Sequence, residues 1–170
     1  MENTLDRILS DQKSKGRLSL LIGVSLFAAA AVLLAVGQVM GWVFLGMSAV
    51  LGAALWQRVK RNRQELAKLG DPETAKKELR ADGTAYYQSF GLTVCRRFCI
   101  SERPSLQVLP FEEMEKFEVG LAGDARKVLF LTDKKGVRHP VAETVKDDGN
   151  QEEFDRAYQQ IRTAFAERKQ

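Results

Sequence analysis

Forty consecutive residues, Leu18 to Gln57, carry no charge. An α-helix rises about 1.5 Å per residue, so one helix of that length would span roughly 60 Å, about twice the hydrocarbon thickness of a bilayer. A single straight span is excluded, and the run must break. The break is expected within AVGQVMGW, residues 35–42, where Gly37-Gln38 and Gly41-Trp42 combine two glycines, an amide and an interface-seeking tryptophan. The segments are then Leu18 to Val36 and about Val39 to Gln57. Trp56 marks the far end of the second, and the Arg58 stem can snorkel to the headgroups.

Two rival readings of the run fail. A buried hairpin in a soluble core needs a large apolar cover, and the rest of a chain that is 28% charged has none. A cleaved signal peptide finds a small-residue site at Ala35-Val36-Gly37. The long polar lead, the length of the run and the second apolar segment oppose it.

Flanking charge sets the orientation. Lys13, Lys15 and Arg17 precede the first span, Arg58, Lys60, Arg61 and Arg63 follow the second, and the turn between carries no charge. By the positive-inside bias both termini face the cytoplasm. Residues 1–17 carry four basic and three acidic side chains, residues 58–82 eight and five, and residues 83–170 fourteen of each. The net +4 therefore sits beside the membrane, where it meets anionic lipid, and is no sign of a nucleic-acid surface.

Small residues four apart, Ser19 and Gly23, Ala31 and Ala35, Ser48 and Gly52, Ala49 and Ala53, allow the spans to pack on each other or on a second copy. The absence of ionisable groups within them argues against ion transport.

Beyond the spans the second helix is expected to continue until Gly70. Asp71-Pro72 reads as an N-cap and first helical residue of a short helix to about Arg80, ended by Asp82-Gly83. From Thr84 six short strands are expected: Thr84–Gln88, Leu92–Ile100, Leu106–Leu109, Met114–Val119, Lys127–Thr132 and Val137–Val141, with turns including Ser89-Phe90-Gly91, Leu121 to Asp124 and Asp133 to Gly136. In the second strand, alternation puts Leu92, Val94, Phe98 and Ile100 on one face and Thr93, Cys95, Arg97, Cys99 and Ser101 on the other, so the sheet should have one wet side. A final helix opens at Asn150, with Glu153 completing a capping-box pattern. Phe154, Tyr158, Ile161 and Phe165 form its apolar stripe, and Gln160 is expected on its wet face. The expected fold is a membrane anchor of two transmembrane α-helices followed by an α+β domain, a small antiparallel sheet or partly open barrel closed by a C-terminal helix.

The runs YYQSFGLTVCRRFCI, SLQVLPFEEMEKFEV and KVLFLTDKKGVRHPV, followed by the amphipathic end helix, resemble the bacterial pleckstrin-homology-like (PH-like) domains that are often attached to transmembrane hairpins. The resemblance covers about residues 82–168. It implies a seven-stranded fold, one strand more than the six expected, and a scaffold for binding rather than a given chemistry. Relatives that bind inositol lipids use a basic first loop, whereas Gln88 to Gly91 has no cation, and the nearest basic pair is Arg96 and Arg97.

Signals for chemistry are few. Cys95 and Cys99, on one face of a single extended strand, would have α-carbons about 13 Å apart, too far for a disulfide, and no second Cys or His pair accompanies them. His139 is the only histidine and reads as a surface or half-buried strand residue. Glu112, Glu113, Glu115 and Glu118 read as a solvated acidic face. No catalytic residue, cofactor or metal site is assigned.

The domains expected are a cytoplasmic N-terminal segment (1–17), a transmembrane hairpin (18–57, turn near 37–41), a helical basic stalk (58–82) and a cytoplasmic PH-like domain (83–170). The function expected is a multi-pass, membrane-anchored binding or assembly module, not an enzyme. Its partners would be the lipid bilayer and a protein, or a second copy through the small-residue helix faces, with no nucleic acid. Arg96 and Arg97 are the candidate binding surface. The alternatives are a thiol-dependent enzyme or redox-responsive protein using Cys95 and Cys99, and an anionic-lipid sensor working through the basic stalk.

Overall fold

A computed structural model describes residues 4–123 and 126–168, with side chains from Arg17 onward except that of Pro72. Asp124, expected in a turn, and the side chains of Lys13 and Lys15 lie outside the described residues. The chain forms two compact units, Met1–Gln64 and Glu65–Gln170.

In the first unit the chain does turn back. Helix α1 (Thr4–Ala35) and helix α2 (Met40–Ala67) are joined through Gly37 at φ +78°. The amide of Gln38 donates to the Leu33 carbonyl at 2.9 Å and that of Gly37 to Leu34 at 3.0 Å, the bond pattern of a glycine-terminated helix. Gly41 then allows α2 to start close against α1: a Cβ there would lie 2.6 Å from Leu34 Cγ and 2.9 Å from its backbone nitrogen. Further along, Ser48 Oγ donates to the Gly23 carbonyl at 3.3 Å, and Ala30 is fully buried. These contacts leave the outward faces bare. Both helices are long and apolar enough to cross a membrane, and only 6% of each apolar window is buried.

The second unit opens with the end of α2, where Gly70 at φ +69° stops the chain and Asp71 starts helix α3 (Pro72–Arg80). The Asp71 carboxylate accepts from the Thr74 amide at 3.0 Å and the Thr74 hydroxyl at 2.7 Å. These bonds hold its pKa below the ordinary carboxylate value.

Among the described residues seven strands follow, β1 (Ala85–Tyr87), β2 (Leu92–Val94), β3 (Phe98–Ser101), β4 (Gln107–Pro110), β5 (Met114–Ala122), β6 (Arg126–Asp133) and β7 (Arg138–Thr144). They form two antiparallel sheets, β1-β2-β3-β4 and β5-β6-β7. A short 3-10 turn, Phe111–Glu113, links the sheets, and helix α4 (Gln151–Glu167) ends the unit.

The strand expected over Leu92–Ile100 is two strands. The chain reverses at Cys95-Arg96-Arg97, the Cys95 amide donates to the Phe98 carbonyl at 2.9 Å, and Val94 pairs with Cys99. Because opposed residues of a hairpin share a face, the reversal exchanges the parity expected of a continuous strand. Phe98 and Ile100 join Thr93, while Cys99 joins Leu92 and Val94 in the core. The expected wet side is absent from this sheet, since Thr93, Ile100 and Val108 are fully buried on the second face. That face lies beside backbone capped by helix ends: Glu65 Oε2 accepts from the Val108 amide at 3.0 Å and Glu78 Oε1 from the Arg97 amide at 2.9 Å.

One core joins both sheets to α4. It includes Leu92, Val94 and Leu109 from the first sheet, Leu129, Leu131 and Val141 from the second, and Phe154, Ala157, Ile161, Ala164 and Phe165 from α4. The apolar stripe of α4 is thus a core element, with Tyr158 packing at its edge. Two expectations about this helix are corrected. The Asn150 side chain makes no capping bond, and the Glu153 carboxylate accepts from the Ser89 amide and hydroxyl while the Asn150 amide donates to Asp148 Oδ1. Gln160 is not on a wet face. Its amide group accepts from Tyr87 Oη at 2.5 Å and donates to the Gly83 carbonyl and, at 3.3 Å, to the Val94 carbonyl.

Candidate functional site

The hairpin turn that makes two strands of the one expected also borders a concavity. Arg96 and Arg97 occupy a tight reversal, so both side chains project past the end of the first sheet and are exposed. They border a cleft of about 440 Å³. Its apolar floor is Leu69, Ala75, Phe98, Pro110 and Phe111, and its rim carries charges of both signs, Lys68, Glu78, Arg96, Arg97, Glu112, Glu167 and Arg168.

Four segments hold the rim. The Arg97 backbone is fixed on both sides, its amide by Glu78 and its carbonyl by the Phe111 amide at 2.8 Å. Arg96 Nε donates to Glu167 Oε2 at 2.7 Å, tying the turn to the end of α4. Arg168 donates to the Phe111 and Met114 carbonyls and lies 4.8 Å above the Phe165 ring. Lys68 pairs with Glu65 at 2.9 Å. The Arg97 guanidinium enters no ion pair among the described residues, although its backbone is immobilised. An exposed guanidinium carried on a fixed backbone beside an apolar floor suits a carboxylate or phosphate attached to an apolar body.

The cysteines lie beside this cleft, in positions the extended-strand estimate did not anticipate. The distance of about 13 Å assumed a straight chain, whereas Cys95 stands at the start of the reversal and Cys99 pairs with Val94. Both are free and buried. Burial pushes the Cys95 thiol up to about 12, the Thr84 side chain opposing the shift, and pushes Cys99 higher still. Both thiols are therefore protonated at neutral pH, while thiol nucleophiles act as thiolates.

The remaining sequence candidates are dispersed. His139 is half-buried on β7, with Nε2 3.4 Å from Asp133 Oδ2. Asp133 itself closes the β6–β7 turn, accepting from the Lys135 and Val137 amides at 2.8 and 2.9 Å, which lowers its pKa. Glu112 and Glu113 lie on the 3-10 turn, Glu115 on β5, and Glu118 bonds Arg138 and Lys116. Among the described residues no group of three or more His, Cys, Asp or Glu side chains is gathered as metal ligands would be. Arg17, Arg58, Lys60, Arg61 and Arg63 are exposed along their helices. The contributions of Glu78, Glu167 and Arg168 to the cleft had no signal in the sequence, because each acts on a residue 19 to 71 positions away.

Compared with family models, curated proteins and solved structures, the chain matches none.

Proposed function

We propose that this chain is a membrane-anchored binding or assembly module, with the α1–α2 hairpin crossing a bilayer twice and a PH-like domain presented on the cytoplasmic side. The observation that carries the reading is the bare apolar surface of the hairpin. Leu20, Leu21, Phe27, Val32, Val43 and Val50 are all more than half exposed, and water would be a poor solvent for them. Exposed Arg17, Arg58, Lys60, Arg61 and Arg63 lie on one side of the spans and the uncharged turn on the other, which favours cytoplasmic termini. Seven strands with a closing helix are the element set that the PH-like resemblance implies. Within the domain, the cleft beside Arg97 is the best-formed place for an anionic partner group.

Reporter fusions test the topology. An enzyme active only in the cytoplasm should work at either terminus, and activity of the C-terminal fusion only on the outside would refute the hairpin orientation. The exposed cations following the second span also favour contact with anionic lipid headgroups, a second reading. Salt-sensitive retention of the Arg58-to-Gln170 fragment on anionic but not neutral liposomes would support it.

A further inference from the structure

Strand β5 ends its sheet, and its far side makes no backbone bond to another strand among the described residues. The first half of the strand is nevertheless covered, on its core face by aromatic rings and at Met114 by a bond to the backbone. Phe117 packs against Tyr158 and Phe165, ring centroids 5.6 and 5.1 Å apart, and Arg168 donates to the Met114 carbonyl. The second half, Glu118 to Ala122, has no such cover. Val119 and Leu121 share a face with Phe117 by strand alternation, yet they are 45% and 76% exposed. Between them Gly120 is half-buried: a Cβ there would lie 3.2 Å from the Phe130 ring, which covers that position on the opposite face.

We propose that residues 118–122 pair antiparallel with the same segment of a second copy of this chain, about a two-fold axis at Gly120. The inference rests on the assembly reading above and assigns it a surface. A closed dimer needs a patch complementary to itself, and an unpaired strand edge supplies the backbone groups for one. Centred on Gly120, the pairing puts Val119 opposite Leu121 of the second copy and Leu121 opposite its Val119, so both exposed apolar side chains gain an apolar neighbour. On the other face glycine meets glycine and Glu118 meets Ala122, so no like charges oppose. Other registers lose this match. Centring on Val119 sets Leu121 against Phe117, where α4 already lies, and centring on Leu121 runs Val119 against Gly123 in the hairpin turn.

Directly opposed residues in an antiparallel pair have α-carbons about 4.5 to 5.5 Å apart, within disulfide range. The test uses the full chain in nanodiscs, with V119C and L121C made separately. The native cysteines are buried and do not compete. Mild oxidation of a mixture of the two variants should give about tenfold more cross-linked dimer than either variant alone, because only the mixture has cysteines opposed. Leu121→Lys should weaken association about tenfold by sedimentation without moving the melting temperature, since the side chain is already exposed. Association that survives Leu121→Lys with no preferential cross-link refutes the edge while leaving assembly through another surface in place. A chain that stays monomeric at every protein-to-lipid ratio refutes both.

Discussion

Replacing Ile161 by alanine removes a fully buried side chain from the centre of the core shared by both sheets and α4. Three carbons are lost at about 0.8 kcal/mol each, and the packed surroundings cannot fully close the space, so the expected cost is about 2.5 to 4 kcal/mol. The neighbouring position supplies a sharper comparison. Gln160→Ala strips an acceptor from the buried Tyr87 hydroxyl and a donor from the Val94 and Gly83 carbonyls, 73, 66 and 77 residues away in sequence. At about 1 kcal/mol net per bond, more where the partner stays dry, its cost should be about 1.5 to 3 kcal/mol. Gln159→Ala, exposed one position earlier, should cost less than about 0.5 kcal/mol. Urea unfolding of residues 65–170, followed by circular dichroism, measures all three, and an unchanged m-value would certify a common denatured state. If Ile161→Ala costs under about 1 kcal/mol, α4 is not sealing a core, and the PH-like reading fails with it. If Gln160→Ala matches Gln159→Ala, the amide does not bridge α4 to the first sheet.

The fragment 65–170 should unfold in one cooperative step, and a fragment starting at residue 83 should be less stable by at least about 2 kcal/mol, having lost the Glu65 and Glu78 bonds to backbone amides and the burial of Ala75 and Leu79; equal melting of the two would refute the role given to those helix ends. Maleimide at pH 8 should leave Cys95 and Cys99 unlabelled in the native chain and label both in urea, and fast native labelling would contradict their burial. For Cys95, with its folded pKa raised from 9.0 to about 12, the stabilisation is present below about pH 9 and lost as pH rises towards 12. Asp148 accepts from the Val145 and Asn150 amides and from the Thr144 hydroxyl, which holds its pKa down to about 2. Its contribution is present above about pH 4 and disappears as pH falls through 2, a course absent from Asp148→Asn, and an NMR titration midpoint near 4 would refute it.

Features carried by neighbouring residues were legible in the sequence. The forty uncharged residues force two helices, and Gly37, Gly70 and Asp71 mark helix ends through bonds that close within about five residues. The stripe of α4 is equally local, because its period is that of one helix. Where one strand became two, the local pattern misled. Alternation over Leu92–Ile100 looks the same whether the chain continues or reverses at Cys95-Arg96-Arg97, and the reversal is held by pairing of β3 with β2 and β4 and by the bonds from Phe111 and Glu78 to the Arg97 backbone.

Everything site-like follows from that reversal and from contacts distant in sequence. Arg96 and Arg97 were conspicuous as a basic pair, but their cleft needs Glu78 from α3, Phe111 after β4 and Glu167 at the end of α4. Gln160 looks polar and therefore wet in a helical projection, since a projection assigns a residue its side of the helix and says nothing of what packs there. The unbroken apolar run, the flanking charge and the helix caps are one-dimensional properties, each satisfied by a chain and its immediate neighbours. Burial of both faces of the first sheet, the pairing of an amide with a hydroxyl 73 residues away, and the unpaired edge of β5 arise only when separate segments compete for the same space.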